Sequence, residues 1–440
     1  MTQDGDKNMG RSIGLDDRLN DRRIVILDDD PTGTQTVSDV RVILHPSTAT
    51  FAEFFGSSER VVYVLTNTRA MPERDAVHLL SNICSQVREA AQQSKVRYAF
   101  LLRGDSTLRG HVFAEVDVLA SENSVTLFVP AFPEGGRVTV GGIHYLETES
   151  GRLPVARTEF AADANFGYVS ERMTDWVAEV GGGRKALSVP LQTLRSVGSK
   201  AITATLLNAV PRTVIVPDAE TRSDLERIAL GLLDAEEAGR AVVVRSAASF
   251  AAVRAGLSGR QLEPALPFSA RRTLVVCGSH TAAASRQLEH FLKERKLMPH
   301  VLEADEILRG DRQGAVNLLV DNLLGELDRG RIAVLCTERM LKTAYSGLHY
   351  GDRLMEALVK VVNRVSPQCD TVISKGGITS ARTATDGLKA QSAFVLGQLA
   401  PGISLWELCL IDGRTMRYGV IPGNVGDDET LCRVATMMGA

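Results

Sequence analysis

The stretch Arg23-Ile24-Val25-Ile26-Leu27-Asp28-Asp29-Asp30-Pro31-Thr32-Gly33-Thr34 decides the fold. Four consecutive apolar residues, three of them β-branched, read as a strand buried on both faces, and such a strand belongs to a parallel sheet covered by helices. It runs straight into three aspartates, a proline and a glycine, which stop the strand and open a turn. The same grammar recurs outward from it. Val40 to Leu44, Val61 to Leu65, Tyr98 to Leu102 and Thr126 to Val129 are further candidate strands, and Glu73 to Ala91 places Ala76, Leu79, Leu80, Ile83, Val87 and Ala90 at helical spacing. Strands alternating with helices predict an α/β fold with mainly parallel sheets. Beyond Gly181-Gly182-Gly183, two more buried strands are expected at Thr213 to Val216 and Ala241 to Val244.

The segment Ser258 to Arg272 breaks the pattern with two prolines, Pro264 and Pro267, three arginines and little periodicity. It reads as an interdomain linker. The alternation restarts at Thr273 to Cys277, Ile332 to Leu335, Thr371 to Ile373 and Ala393 to Leu396. The expected organisation is a polar tail over residues 1–22, an α/β domain over 23–257, a linker over 258–272 and a second α/β domain over 273–440. The active site is expected in the cleft between the two domains.

Length and charge agree with this division. At roughly 100–200 residues per domain, 440 residues need more than one core. Fifty basic against fifty-three acidic side chains leave a net charge of −3, which offers no electrostatic footprint for nucleic acid or an anionic membrane. No apolar run approaches the roughly 20 residues of a membrane span, and the first residues lack the apolar core of a secretion signal, so a cytoplasmic protein is expected. Cys84, Cys277, Cys336, Cys369, Cys409 and Cys432 are scattered without a C-x-x-C pair and are expected to be buried reduced thiols. Trp176 and Trp406 are expected in the core or an interface.

In an open α/β sheet, ligands gather at the carboxyl ends of the strands. Four strands here end in polar loops: Asp28 to Thr34, Thr66 to Arg69, Arg103 to His111, and Pro130 to Arg137. In a single loop, Asp and Gly often serve only as a turn or helix cap, as Asp105 or Ser106 could before Val112 to Leu119. Four such loops at equivalent strand ends predict a shared rim of Asp29, Asp30, Arg69, Arg103, Asp105, Arg109 and Arg137. Arginines match a carboxylate or phosphate, while aspartates accept hydroxyl hydrogens or a proton, so the rim suits a polyhydroxylated acid. The second half follows its strands with Gly278-Ser279-His280-Thr281, Ser374-Lys375-Gly376-Gly377-Ile378-Thr379-Ser380 and Pro422-Gly423-Asn424-Val425-Gly426. Small residues there let backbone amides reach phosphate oxygens, Lys375 adds a point charge, and Thr379 and Ser380 could cap a helix running to Leu388. His111, His144 and His280 lie in motif loops, with hydrogen bonding or packing as their expected roles.

Several signatures are absent. There is no G-x-x-x-x-G-K-[ST], no G-x-G-x-x-G after the first strand and no H-E-x-x-H, and the G-x-S-x-G match at Gly10 to Gly14 has no strand before it. The motifs that are present, D-D-D-P-T-G at Asp28 to Gly33, D-S-T-L-R-G at Asp105 to Gly110 and P-A-F-P-E-G-G-R at Pro130 to Arg137, resemble those of the four-carbon acid sugar kinase family. Gly278-Ser279, Lys375 to Ser380 and Pro422 to Gly426 resemble its nucleotide-binding half. The likeness runs from about Ile24 to the C-terminus.

The resemblance implies an ATP-dependent kinase acting, with Mg2+, on threonate, erythronate or a 3-oxo-tetronate at the terminal 4-hydroxyl. It implies acid binding by Asp29, Asp30, Arg69, Arg103, Gly104, Asp105, Ser106 and Arg109. ATP binding is implied for Ser279, Lys375, Gly376, Gly377, Ile378, Thr379, Ser380, Gly423 and Asn424. Asp105 or Asp30 is the expected proton acceptor, Arg69, Arg103 or Arg109 the partner of the substrate carboxylate, and Asp29 or Asp427 a neighbour of magnesium whose ligands are otherwise unassigned. Members of the family often carry lysines where this chain has Arg103-Gly104, so a branched acid such as 3-oxo-isoapionate is an alternative substrate. A magnesium-dependent lyase or dehydratase and a non-catalytic acid-binding protein are readings from other classes. A homodimer is one assembly left open, and domain closure would hinge near Pro264 and Pro267.

Overall fold

The structure, a computed structural model, describes residues 22–263, 272–339 and 348–440. Most of the expected tail, and Pro264 and Pro267 of the expected hinge, lie outside the described residues. The first half contains β1 (Arg23–Asp28), β2 (Val40–Ile43), β3 (Val61–Leu65), β4 (Tyr98–Arg103), β5 (Val125–Val129), β6 (Arg137–Val140), β7 (Ile143–Thr148), β8 (Gly151–Pro154), β9 (Ala186–Val189), β10 (Val214–Pro217) and β11 (Val242–Ser246). The second half contains β12 (Thr273–Cys277), β13 (Pro299–Leu302), β14 (Ala333–Thr337), β15 (Thr371–Lys375), β16 (Ala390–Ala400), β17 (Ile403–Leu410) and β18 (Thr415–Ile421).

Alternation along β1 shows why the parallel reading works. Ile24 and Ile26 pack into the core on one face, Val25 and Leu27 into that on the other, and all four are buried. Helix Glu73–Ser94 covers the second face with Leu80, Ile83, Cys84 and Val87, its charged residues turned outward, and ends at Lys95 with a positive φ of 54°. That is a left-handed C-terminal stop of the kind glycine more often supplies. The expected strands are present, with ends shifted by at most four residues. The β6–β7–β8 hairpin sheet and the antiparallel run β16–β17–β18 are additions that the search for parallel strands did not anticipate.

The two expected sheets are continuous. Fifteen strands form one mainly parallel sheet, in the order β13-β14-β12-β15-β18-β17-β16-β2-β3-β1-β4-β11-β5-β10-β9. The seam is β2, which pairs parallel with β3 and antiparallel with β16. Part of the expected linker also lies along β16, where Leu262 N–H donates to the Gln398 carbonyl and Gln398 N–H to that of Arg260, each at 2.8 Å. The turn Pro31–Thr36, which follows the three aspartates, is docked on β17: Trp406 Nε1 donates to Thr34 Oγ1 at 3.0 Å. Both tryptophans are fully buried, as expected. Of the cysteines, Cys84, Cys277, Cys336 and Cys369 are buried, whereas Cys409 is exposed on β17 and Cys432 half-buried; all are free thiols. No helix among the described residues is long and apolar enough to cross a membrane.

Candidate active site

The ends of β3, β1, β4, β11 and β5 lie side by side, since all five are parallel neighbours. Asp28, Asp29 and Asp30 leave β1, all buried. Arg103, the last residue of β4, reaches across them: its Nη1 lies 3.0 Å from Asp28 Oδ1, 3.5 Å from Asp29 Oδ1 and 2.9 Å from Asp30 Oδ1, and its Nη2 donates to Thr32 Oγ1 at 3.2 Å. One oxygen from each aspartate converges closely enough to hold a cation, but the Arg103 guanidinium occupies that focus. The triad therefore does not fit a resident Mg2+. Asp427 is engaged as well, by Arg433 Nη2 at 2.7 Å and the Thr430 hydroxyl at 2.9 Å.

Arg103 is thus a correction to the expected substrate contact. It is about 1% exposed, and its donors serve the aspartate loop rather than open space. Burial pushes the Asp28 carboxyl up to about 7 even against the nearby Arg103 charge.

Arg69 follows the left-handed Asn67 (φ 52°), which turns the chain after β3. It bridges two carboxylates, contacting Asp30 Oδ2 through Nη2 and Asp105 Oδ1 through Nη1 at 3.3 Å. Burial lowers the Arg69 pKa. Asp105 also accepts from Arg109 Nε at 2.8 Å, and Arg109 lies over the Phe160 ring at 5.0 Å. Burial opposes the Asp105 charge, yet Arg109 and Arg69 together outweigh it and hold the carboxyl well below the usual range. Neither Asp105 nor Ser106 caps helix Val112–Leu119; His111 stands at that position without a side-chain cap. Ser106 instead offers its carbonyl to His144 Nε2 at 2.8 Å, while Thr139 Oγ1 lies 2.9 Å from His144 Nδ1. Burial takes His144 down to about 4, so it is a neutral strut. Arg137 is buried over Phe132 and contacts the Gly135 carbonyl.

Two rim residues carried no earlier assignment. Arg245, at the end of β11, reaches Asp29 Oδ2 at 3.3 Å and pairs with Glu115, whose other oxygen accepts from Thr68 Oγ1 at 2.5 Å. Arg245 was open to the strand-end argument used on the other four strands. Glu115, within a helix, left no such sign.

In the second half, the loops after β12, β15 and β18 converge. Ser279, Gly376, Thr379 and Gly423 are in mutual contact range: a Cβ on Gly376 (φ 116°) would lie 3.0 Å from Ser279 Cβ, and one on Gly423 would overlap Ser279 Oγ. Lys375 is fully buried and donates to the Pro422 carbonyl at 2.7 Å, and burial lowers its pKa to about 8. It ties two loops together instead of facing a phosphate. Gly377–Arg382 is helical with Gly376 as its cap, so Thr379 and Ser380 sit inside that helix and do not cap it. Ser380 Oγ donates to the Ser374 carbonyl at 3.3 Å, and Ile378 is partly exposed.

The proposed acid and nucleotide loops approach each other at Gly377. A Cβ on Gly377 would stand 2.6 Å from Asp30 Oδ2 and 3.0 Å from Arg69 Nη2. A cavity of about 800 Å3 between the halves is lined by Phe132, Arg137 and Phe160 from one side and by Gly402, Asn424 and Val425 from the other; Asp30, Arg69 and Gly377 are not among its lining residues.

Residues 24–254 match the family model described as a sugar-binding N-terminal domain, and residues 274–431 match a nucleotide-binding C-terminal domain. The chain belongs to the four-carbon acid sugar kinase family. Among curated relatives, a D-erythronate kinase of Heliobacterium modesticaldum is 29% identical over 279 residues, covering 60% of this chain and 59% of that protein. The match thus spans less than two thirds of that relative's length. A D-threonate kinase of Cupriavidus necator is 26% identical over 335 residues, 74% of this chain and 77% of the relative. Among solved structures, a protein of Salmonella typhimurium LT2 described as a putative tRNA synthase superposes with TM-score 0.65 at 16% identity, covering 93% of this chain and 98% of its own. A Haemophilus influenzae protein gives 0.60 at 16%, with 94% and 100% covered. These two share the fold with this member of the family.

Proposed function

We propose that the chain is an ATP-dependent kinase that phosphorylates a four-carbon sugar acid at its terminal hydroxyl, the first half holding the acid and the second the nucleotide, divided near residue 265. The observation that carries this reading is the contact of Gly377 with the Asp30–Arg69 pair. A loop with the small residues and amides suited to phosphate touches the carboxylate and guanidinium suited to a hydroxy acid, so donor and acceptor would lie within transfer distance.

Arg69 is shared between Asp30 and Asp105. A substrate carboxylate that takes over Arg69, assisted by Arg109, frees Asp30 to orient the acceptor hydroxyl. Asp30 then receives the hydroxyl proton as the oxygen bonds to the γ-phosphorus, and the bond from that phosphorus to the β,γ-bridging oxygen breaks to release ADP. Asp105, held ionised by two arginines, is better suited to keeping Arg69 and Arg109 in place than to taking a proton. Magnesium arrives as the nucleotide complex, consistent with an aspartate triad already filled by Arg103. The test is ADP release across a panel containing D-erythronate, D-threonate, their 3-oxo forms and branched sugar acids. ATP-dependent turnover of one of them is expected; no acid-stimulated ADP release from any would refute the reading.

A further inference from the structure

The acid-binding rim is assembled from loops of four different strands, yet Arg69, Asp29 and the Gly104 loop are held by one pair that no ligand could reach. Arg245 is about 1% exposed and Glu115 about 2%. From β11, the Arg245 guanidinium crosses directly over Gly104: a Cβ there would overlap Nη2 and stand 2.6 Å from Cζ and 2.7 Å from Nε. Gly104 has no positive φ to explain its lack of a side chain. Beyond Gly104, one arm of Arg245 ends on Asp29 and the other on Glu115, and Glu115 passes the connection to Thr68, the residue before Arg69.

We propose that Arg245, acting with Glu115, is a positioning residue for acid binding: it locks Asp29, the Gly104 loop and the Thr68–Arg69 turn in one register, and Gly104 is glycine to let this guanidinium pass. The proposal rests on the sugar-acid reading of the rim. A planar two-armed cation suits the task, because it must satisfy carboxylates on two sides while lying flat on a backbone. A lysine keeps the charge but offers a single point, so Arg245→Lys separates register from charge. Glu115→Gln can still accept from Thr68 while losing its charge, and serves as the second variant should Arg245→Lys fold poorly.

The experiment combines thermal unfolding of the full chain, alone and with D-erythronate, D-threonate, their 3-oxo forms, the branched sugar acids or MgATP, with steady-state kinetics. For Arg245→Lys or Glu115→Gln, we expect the KM for the acid to rise about tenfold or more and the acid-induced thermal shift to shrink, while the KM for ATP moves less than about twofold. Gly104→Ala should lower the ligand-free midpoint in the wild-type background and add no further loss in an Arg245→Ala background. Variants that respond to the acid like the wild type, or that lose ATP and acid binding equally, would overturn the positioning role alone, as would additive effects of Gly104→Ala and Arg245→Ala. A wild-type protein stabilised by MgATP but by none of D-erythronate, D-threonate, their 3-oxo forms and the branched sugar acids would refute the substrate reading and this role with it.

Discussion

Replacing Gly377 by alanine adds one methyl group where the two proposed ligand loops touch, and the structure sets what it should do. The new Cβ would lie 2.6 Å from Asp30 Oδ2, about 0.8 Å inside ordinary van der Waals contact. Asp30 cannot retreat easily. Its other oxygen accepts from the Thr32 amide at 2.7 Å and from Arg103 at 2.9 Å, and the side chain is buried. The displacement therefore falls on the Asp30–Arg69 pair and on the angle at which helix Gly377–Arg382 meets it. A misplacement of about 1 Å in a reacting constellation costs on the order of 10²-fold, so kcat/KM should fall by about that factor, or about 2.7 kcal/mol of transition-state stabilisation. Stability should fall as well, by about 1–3 kcal/mol, because the overlap forces a shift against a buried, ion-paired side chain; Gly377 has no positive φ, so the loss comes from the contact and not from the backbone. ADP release at saturating ATP, with the acid varied, reads the first quantity and thermal unfolding the second. A Gly377→Ala enzyme with kcat/KM within about threefold of wild type would show that the contact lies off the transfer path and would remove the main support for the proposed function.

Two further substitutions separate the roles of the carboxylates. Asp30→Asn should lower kcat by about 10²–10⁴-fold at saturating ATP and acid, whereas Asp105→Asn should act mainly through the KM for the acid by releasing Arg69 and Arg109; near-normal turnover in Asp30→Asn would refute the proton-acceptor assignment. Asp28 predicts a pH effect on folding. Its folded carboxyl titrates at about 7 against an ordinary value of 3.8, so the folded state binds the extra proton and Asp28 contributes stability that fades as pH rises from about 4 through about 7. Asp28→Asn, which cannot lose a proton, should flatten the decline of the thermal midpoint across that window; an unchanged slope would argue that Asp28 is already ionised when folded.

What the sequence made legible follows from how locally each feature is encoded. Ile24 to Leu27 announces a buried parallel strand because burial on both faces leaves no polar residue in the run, and the aspartates after it must emerge at the rim because a parallel sheet puts all its carboxyl ends on one edge. Asp29, Asp30, Arg69, Asp105 and Arg109 could be gathered on that logic alone. Arg103 and Lys375 were misplaced by the same logic, since a charged residue at a strand end normally faces a ligand, whereas here three aspartates and the Pro422 carbonyl draw them inward. Only tertiary neighbours could reveal that, as only the approach of Arg245 reveals why position 104 has no side chain. The seam was hidden for a related reason. Val40 to Leu44 reads as one more parallel strand, and nothing in five residues shows that its far edge is taken by Ser392 to Val395, some 350 residues later and running the other way. That pairing has a mechanical consequence: the aspartate turn is hydrogen-bonded to β17 through Thr34 and Trp406, and β17 is joined to the seam strand β2 through β16. Any opening of the cleft must therefore leave the Asp30 loop fixed against β17, or break their buried contact and the β2–β16 pairing to do so.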